Sequence, residues 1–103
     1  MAKLIVVYWR EIPSQVVVKG RQESYKLKLS RRFQEAIQRA AMRAGKGSSD
    51  FYITDWRRVS RHCGPDLRIE AEEAVESFER QYSDEDLMVL VRGNGLAIRD
   101  IDG

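Results

Sequence analysis

Residues 3–20 read KLIVVYWREIPSQVVVKG, and this stretch decides the fold class. Leu4, Ile5, Val6, Val7, Tyr8 and Trp9 form an unbroken β-prone run, which suits a strand covered on both faces. Pro13 ends that strand, and Val16, Val17 and Val18 make a second, short one. Gly20 opens a polar loop to Ser24. Beyond it Tyr25, Leu27 and Leu29 alternate with Lys26 and Lys28, the period of a half-buried strand. The length of that loop fits a hairpin with a Gly-containing turn.

The remainder is helical in pattern. Ser30 is placed to cap a helix whose apolar positions are Phe33, Ala36, Ile37, Ala40, Ala41 and Ala44. Glu35 and Arg39 lie four apart on its exposed side, and Gly45 is placed to close it. Gly47, Ser48 and Ser49 form a turn. Ser49 or Asp50 then caps a predicted short helix carrying Tyr52, Trp56 and Val59, with a strand through Phe51 and Ile53 as the alternative. Leu67, Ala71, Ala74, Val75, Phe78 and Tyr82 recur at helical spacing, with Glu70, Glu72, Glu73, Glu76 and Glu79 mostly outward. Ser83 with Asp86 three residues on resembles a capping box for a last helix through Leu87, Leu90 and Val91, stopped by Gly93. Asn94-Gly95 as a hairpin turn is the rival there, and the acidic first turn favours the helix. Residues 97–103 read as a loose tail. Strands followed by helices predict an α+β fold: a small antiparallel three-stranded sheet with three to four helices on one face, in one domain spanning 1–103.

Charge divides the chain. Residues 1–61 hold fourteen of the eighteen Lys and Arg and five of the sixteen Asp and Glu, about +9; residues 62–103 hold four and eleven, about −7. Such asymmetry points to a charged partner or to internal pairing. A lone cysteine, Cys63, allows no internal disulfide and favours a reducing, cytoplasmic setting. The run at residues 4–9 is too short for a signal peptide or a membrane span.

Tests for chemistry return little. GKGSS at 45–49 lacks the Ser or Thr directly after Lys46 that a phosphate loop requires, and a helix rather than a strand precedes it. A weak anion site at Lys46, Ser48 and Ser49, on a following helix N-terminus, is what remains of it. His62 and Cys63, each the only residue of its kind, complete neither a zinc site nor a nucleophile–base pair. The carboxylates between Asp66 and Glu79 read as a solvated helix face. No cofactor is implied and no catalytic residue emerges. Tyr8-Trp9-Arg10 and Trp56-Arg57-Arg58 alone have binding character, since Arg beside large rings suits protein interfaces and single-stranded nucleic acid. The competing reading makes those rings core residues with Arg at the rim.

KLIVVYWREIPSQVVVKG, RRFQEAIQRAAMRAG at 31–45 and SDFYITDWRR at 49–58 resemble the small bacterial virulence factor domain family, the domain also found in the conserved virulence factor C proteins of staphylococci. The resemblance runs to the last helix. It implies no catalytic residues, and it associates stand-alone members with genes for one-carbon enzymes of folate and corrinoid methyl transfer. The expectation is therefore a non-catalytic accessory protein of the cytoplasm. It would bind another protein, such as a one-carbon enzyme, through Trp9, Arg10, Trp56, Arg57 and Arg58. A nucleic-acid-binding module on the same residues is the alternative, and a homodimer through the sheet edge is a further option. The position of the acidic helix discriminates: packed beside the basic face it cancels the charge, and packed away from it leaves an open cationic patch.

Overall fold

The computed structural model describes residues 2–45 and 55–96. Strands β1 (Ala2–Trp9), β2 (Ile12–Lys19) and β3 (Ser24–Lys28) lead into helix α1 (Arg31–Arg43); strand β4 (Trp56–Cys63) then precedes helices α2 (Leu67–Gln81) and α3 (Asp84–Arg92). All pairings are antiparallel, in the order β3-β2-β1-β4. The fold is α+β as the sequence pattern implies, but the sheet has four strands, not three.

The fourth strand replaces the helix expected to carry Trp56 and Val59; the rest of that expectation, Tyr52 included, lies outside the described residues. The physical reason is β1. Its unbroken apolar run makes it an interior strand with a neighbour on each side, and β4 supplies the second, in register from Ala2↔Cys63 to Trp9↔Trp56. Pro13 also does not end a strand. The chain turns earlier, at Arg10 and Glu11, with Arg10 at φ 54. Pro13 sits inside β2 opposite Tyr8, where the β1–β2 register shifts. Such an irregularity tolerates a residue without an N–H.

Side chains alternate along a strand, and directly paired residues share a face. Leu4, Val6, Val16, Val18, Tyr25 and Leu27 therefore project together toward the helices, and the first four are buried. α2 crosses this face with Ala71 and Ala74 buried and Phe78 edge-on to Tyr8 at 6.3 Å between centroids. α1 buries Phe33, Ala36, Ile37, Ala40 and Ala41 against β2 and α3, and Phe33 meets Tyr82 at 5.6 Å.

The helix ends follow the sequence signals, with two exchanges of partner. Ser83 and Asp86 form the full capping box. Gly45, at φ 71, takes the left-handed position after α1. Ser30 precedes α1 but turns its hydroxyl and its N–H to Glu79, at 2.9 and 2.7 Å. Glu35 pairs with Arg31 at 3.0 Å. Asn94-Gly95 makes no hairpin. The Gly95 N–H returns to the Leu90 carbonyl at 2.7 Å, and the Glu11 N–H donates to the Gly95 carbonyl at 2.9 Å, so the segment lies against the β1–β2 turn. The proposed loose tail at 97–103 lies outside the described residues.

Candidate docking surface on the open sheet face

The four strands contain seven Lys and Arg and no Asp or Glu. The register sorts them. On the face away from α2, three rows run across the sheet: Ser24, Lys19, Lys3, His62; then Lys26, Val17, Ile5, Ser60; then Lys28, Gln15, Val7, Arg58. All five cations of these rows are exposed, and so are Ser60 and His62; Ile5 and Val17 are half-buried and Val7 is buried. The long Lys and Arg stems flank this apolar strip while their charged ends reach water. No carboxylate stands in any of the three rows.

The acidic helices lie elsewhere and find their cations within their own layer. Glu79 of α2 accepts from Arg32 at 3.3 Å, and Arg32 also reaches Asp84 of α3 at 3.1 Å. Arg68 and Arg80 pair along α2 with Glu72 and Glu76. Exposed pairs of this kind contribute roughly 0–1 kcal/mol each. The acidic helix therefore packs away from the open face and leaves it cationic.

The five residues singled out from the sequence separate into three groups. Trp9 is fully buried, 0% exposed, so it cannot meet a partner. Arg10 is enclosed with it: its guanidinium lies 5.0 Å from the Trp9 ring, donates to the Asn94 carbonyl at 2.7 Å and faces Asp55 at 3.5 Å. Arg10 thus holds the turn. Trp56 is half-buried beside Trp9. Arg57 and Arg58 are exposed. Arg57 stacks on Tyr8 at 4.4 Å and donates to the Arg10 carbonyl at 2.9 Å. Lys46, Ser48 and Ser49 lie outside the described residues. Lys3, Lys19, Lys26 and Lys28 were missed as a group. The alternation of Lys26 and Lys28 with Leu27 was the available signal, but joining them to Lys3 and Lys19 requires the strand register.

His62 and Cys63, adjacent on β4, project to opposite faces. Burial, with the Glu70 carboxylate second and Arg61 opposing, pushes the Cys63 thiol above its usual range, away from a reactive thiolate. Among the described residues no group of three His, Cys, Asp or Glu is placed to hold a metal ion. A surface depression of about 470 Å³ near the β2–β3 turn is lined by Ala2, Gly20, Arg21, Gln22, Glu23, Pro65 and Leu67, without a cluster of catalytic groups. No helix among the described residues is long and apolar enough to cross a membrane.

A family model described as virulence factor matches residues 7–91, from within β1 to within α3. The chain belongs to the virulence factor family. The matched span takes in most of the sheet and all three helices, so the virulence factor domain coincides with the fold itself. No curated protein and no solved structure matches the chain.

Proposed function

We propose that this virulence factor domain is a non-catalytic accessory protein that docks an acidic surface of another protein on the open face of its sheet. One observation carries the reading: five exposed cations surround Ile5, Val7 and Val17 with no carboxylate in their rows, while the two acidic helices sit in the layer behind. Apolar centre and charged surround match the composition of protein interfaces. Charge complementarity on this scale chiefly speeds association and selects partners. A cytoplasmic one-carbon enzyme is the first partner class to try, on the family resemblance.

Nucleic acid is the weaker reading. Single-strand binders add stacking rings to a basic groove. Here Tyr8 and Tyr25 point to the helix side, and the three rows hold neither Phe nor Tyr.

The test is affinity capture from native lysate after nuclease treatment, comparing wild type with K3E/K26E/R58E. The expected result is one stoichiometric protein retained by wild type and lost by the variant. Capture that the triple reversal leaves unchanged, or recovery of nucleic acid alone without nuclease, would overturn the reading.

A further inference from the structure

The two edges of the sheet are unlike. β3 has five residues, is half-buried through Tyr25 and Leu27, and lies under α2. β4 has eight residues, contains no proline, and pairs with β1 without a register shift. Every residue from Arg57 to His62 is exposed, including Val59 at 47% and the other positions on the helix side of the sheet. The helix layer stops short of this strand. Among the described residues no strand pairs with its outer side, so alternate N–H and C=O groups from Arg57 to His62 line an edge open to pairing.

The side chains decide which strand fits there. β4 reads WRRVSRHC. A second copy pairing antiparallel would bring Arg57 against Arg61 if centred on Val59 and Arg58 against Arg61 if centred between Val59 and Ser60; centred on Ser60 it sets Arg58 opposite His62, with no carboxylate to meet it. A parallel in-register copy stacks each Arg on itself. Like charges directly opposite one another destabilise a ladder. Self-pairing through this edge, the homodimer suggested by the sequence, therefore sets Arg against Arg in every one of these registers but the Ser60-centred one and gains an ion pair in none. An acidic strand instead sets carboxylates against Arg57, Arg58 and Arg61, on both faces, because Arg57 and Arg61 project to the helix side and Arg58 to the open side. Arg57 is also already ordered by its stack on Tyr8 and its bond to the Arg10 carbonyl, which lowers the entropy lost when it meets a carboxylate.

We infer that the partner of this domain supplies an extended acidic segment that adds to the outer edge of β4 at residues 57–61 as a fifth strand, with carboxylates opposite Arg57, Arg58 and Arg61 and a β-branched residue opposite Val59. Such strand addition takes affinity from main-chain hydrogen bonds and specificity from the alternating side chains. The inference rests on the reading that the partner is a protein. It goes further in naming the edge rather than the face as the first point of contact, and in giving the chemistry of the segment.

The full chain is titrated with a peptide of core sequence Glu-Thr-Val-Glu-Glu, and amide hydrogen exchange is followed residue by residue by NMR. A second peptide has the same sequence and charge but is N-methylated at alternate residues, which removes ladder donors. The expected result is slowing of exchange by about tenfold or more at saturation at alternate amides of β4, with binding at least tenfold weaker for the methylated peptide. Equal binding of both peptides, with changes confined to Lys3, Lys19, Lys26 and Lys28, would overturn strand addition while leaving face docking intact. Failure of both peptides to bind at millimolar concentration would also overturn it, and the lysate capture above then decides separately whether the face itself binds a protein.

Discussion

The two sides of one sheet teach different lessons from nearly the same residues. Val16 and Val17 are neighbours of the same type; Val16 is fully buried under the helices, and Val17 lies half-buried among lysines on the open side. On the covered side the strands present an apolar surface that α1 and α2 close with alanines and rings. On the open side they present cations around a narrow apolar strip. The first side is built for stability, and the second contributes little to it. A cationic surface around an apolar strip that does little for stability is where binding is to be sought.

The largest effect should come from disturbing the cover. A Cβ on Gly95 would stand 2.7 Å from the Trp9 ring, and the residue holds φ +91. Gly95→Ala should cost about 2–4 kcal/mol in urea denaturation, from overpacking and left-handed strain together. A cost below about 1 kcal/mol would mean that the 93–96 segment does not seal Trp9. The valine pair sharpens the contrast: Val16→Ala should cost about 2 kcal/mol and Val17→Ala less than about 1 kcal/mol. Equal losses would break the distinction between the two sides.

A smaller effect concerns pH. The Ser83 N–H and hydroxyl hold the Asp86 carboxyl below its usual range. A lowered folded-state value makes its contribution complete above the ordinary carboxylate range and lost as pH falls through the lowered value. Protection of the amides at the start of α3, taken relative to their intrinsic exchange rate at each pH, should therefore fall in acid, and Asp86→Asn should flatten that dependence while leaving β4 unaffected.

Much of the fold was legible. The helical spacing of Phe33, Ile37 and Ala40, the box at Ser83 and Asp86, and the alternation at Tyr25 and Leu27 are local signals, and each marks an element that exists. β4 was not legible because its stability comes from β1, more than forty residues away in the chain; its own sequence, WRRVSRHC, is polar and carries neither strict alternation nor an apolar run. Of the candidate docking surface, Arg58 on the open face and Arg57 at the sheet edge were visible as Arg beside rings. Trp9 carried the same signal, yet the turn and the 93–96 segment enclose it. The four lysines of the open face are spread over three strands, and only the register makes them one surface.

Those lysines also supply the most direct test. Lys3, Lys19, Lys26 and Lys28 are four of the five lysines in the chain, and all four are exposed on the open face. Amine-reactive labelling read by mass spectrometry, on the free protein and on the complex captured from lysate, reports that face almost alone. Docking on the open face predicts that all four are labelled in the free protein and are protected together in the complex. Four lysines as reactive in the complex as in the free protein would contradict it.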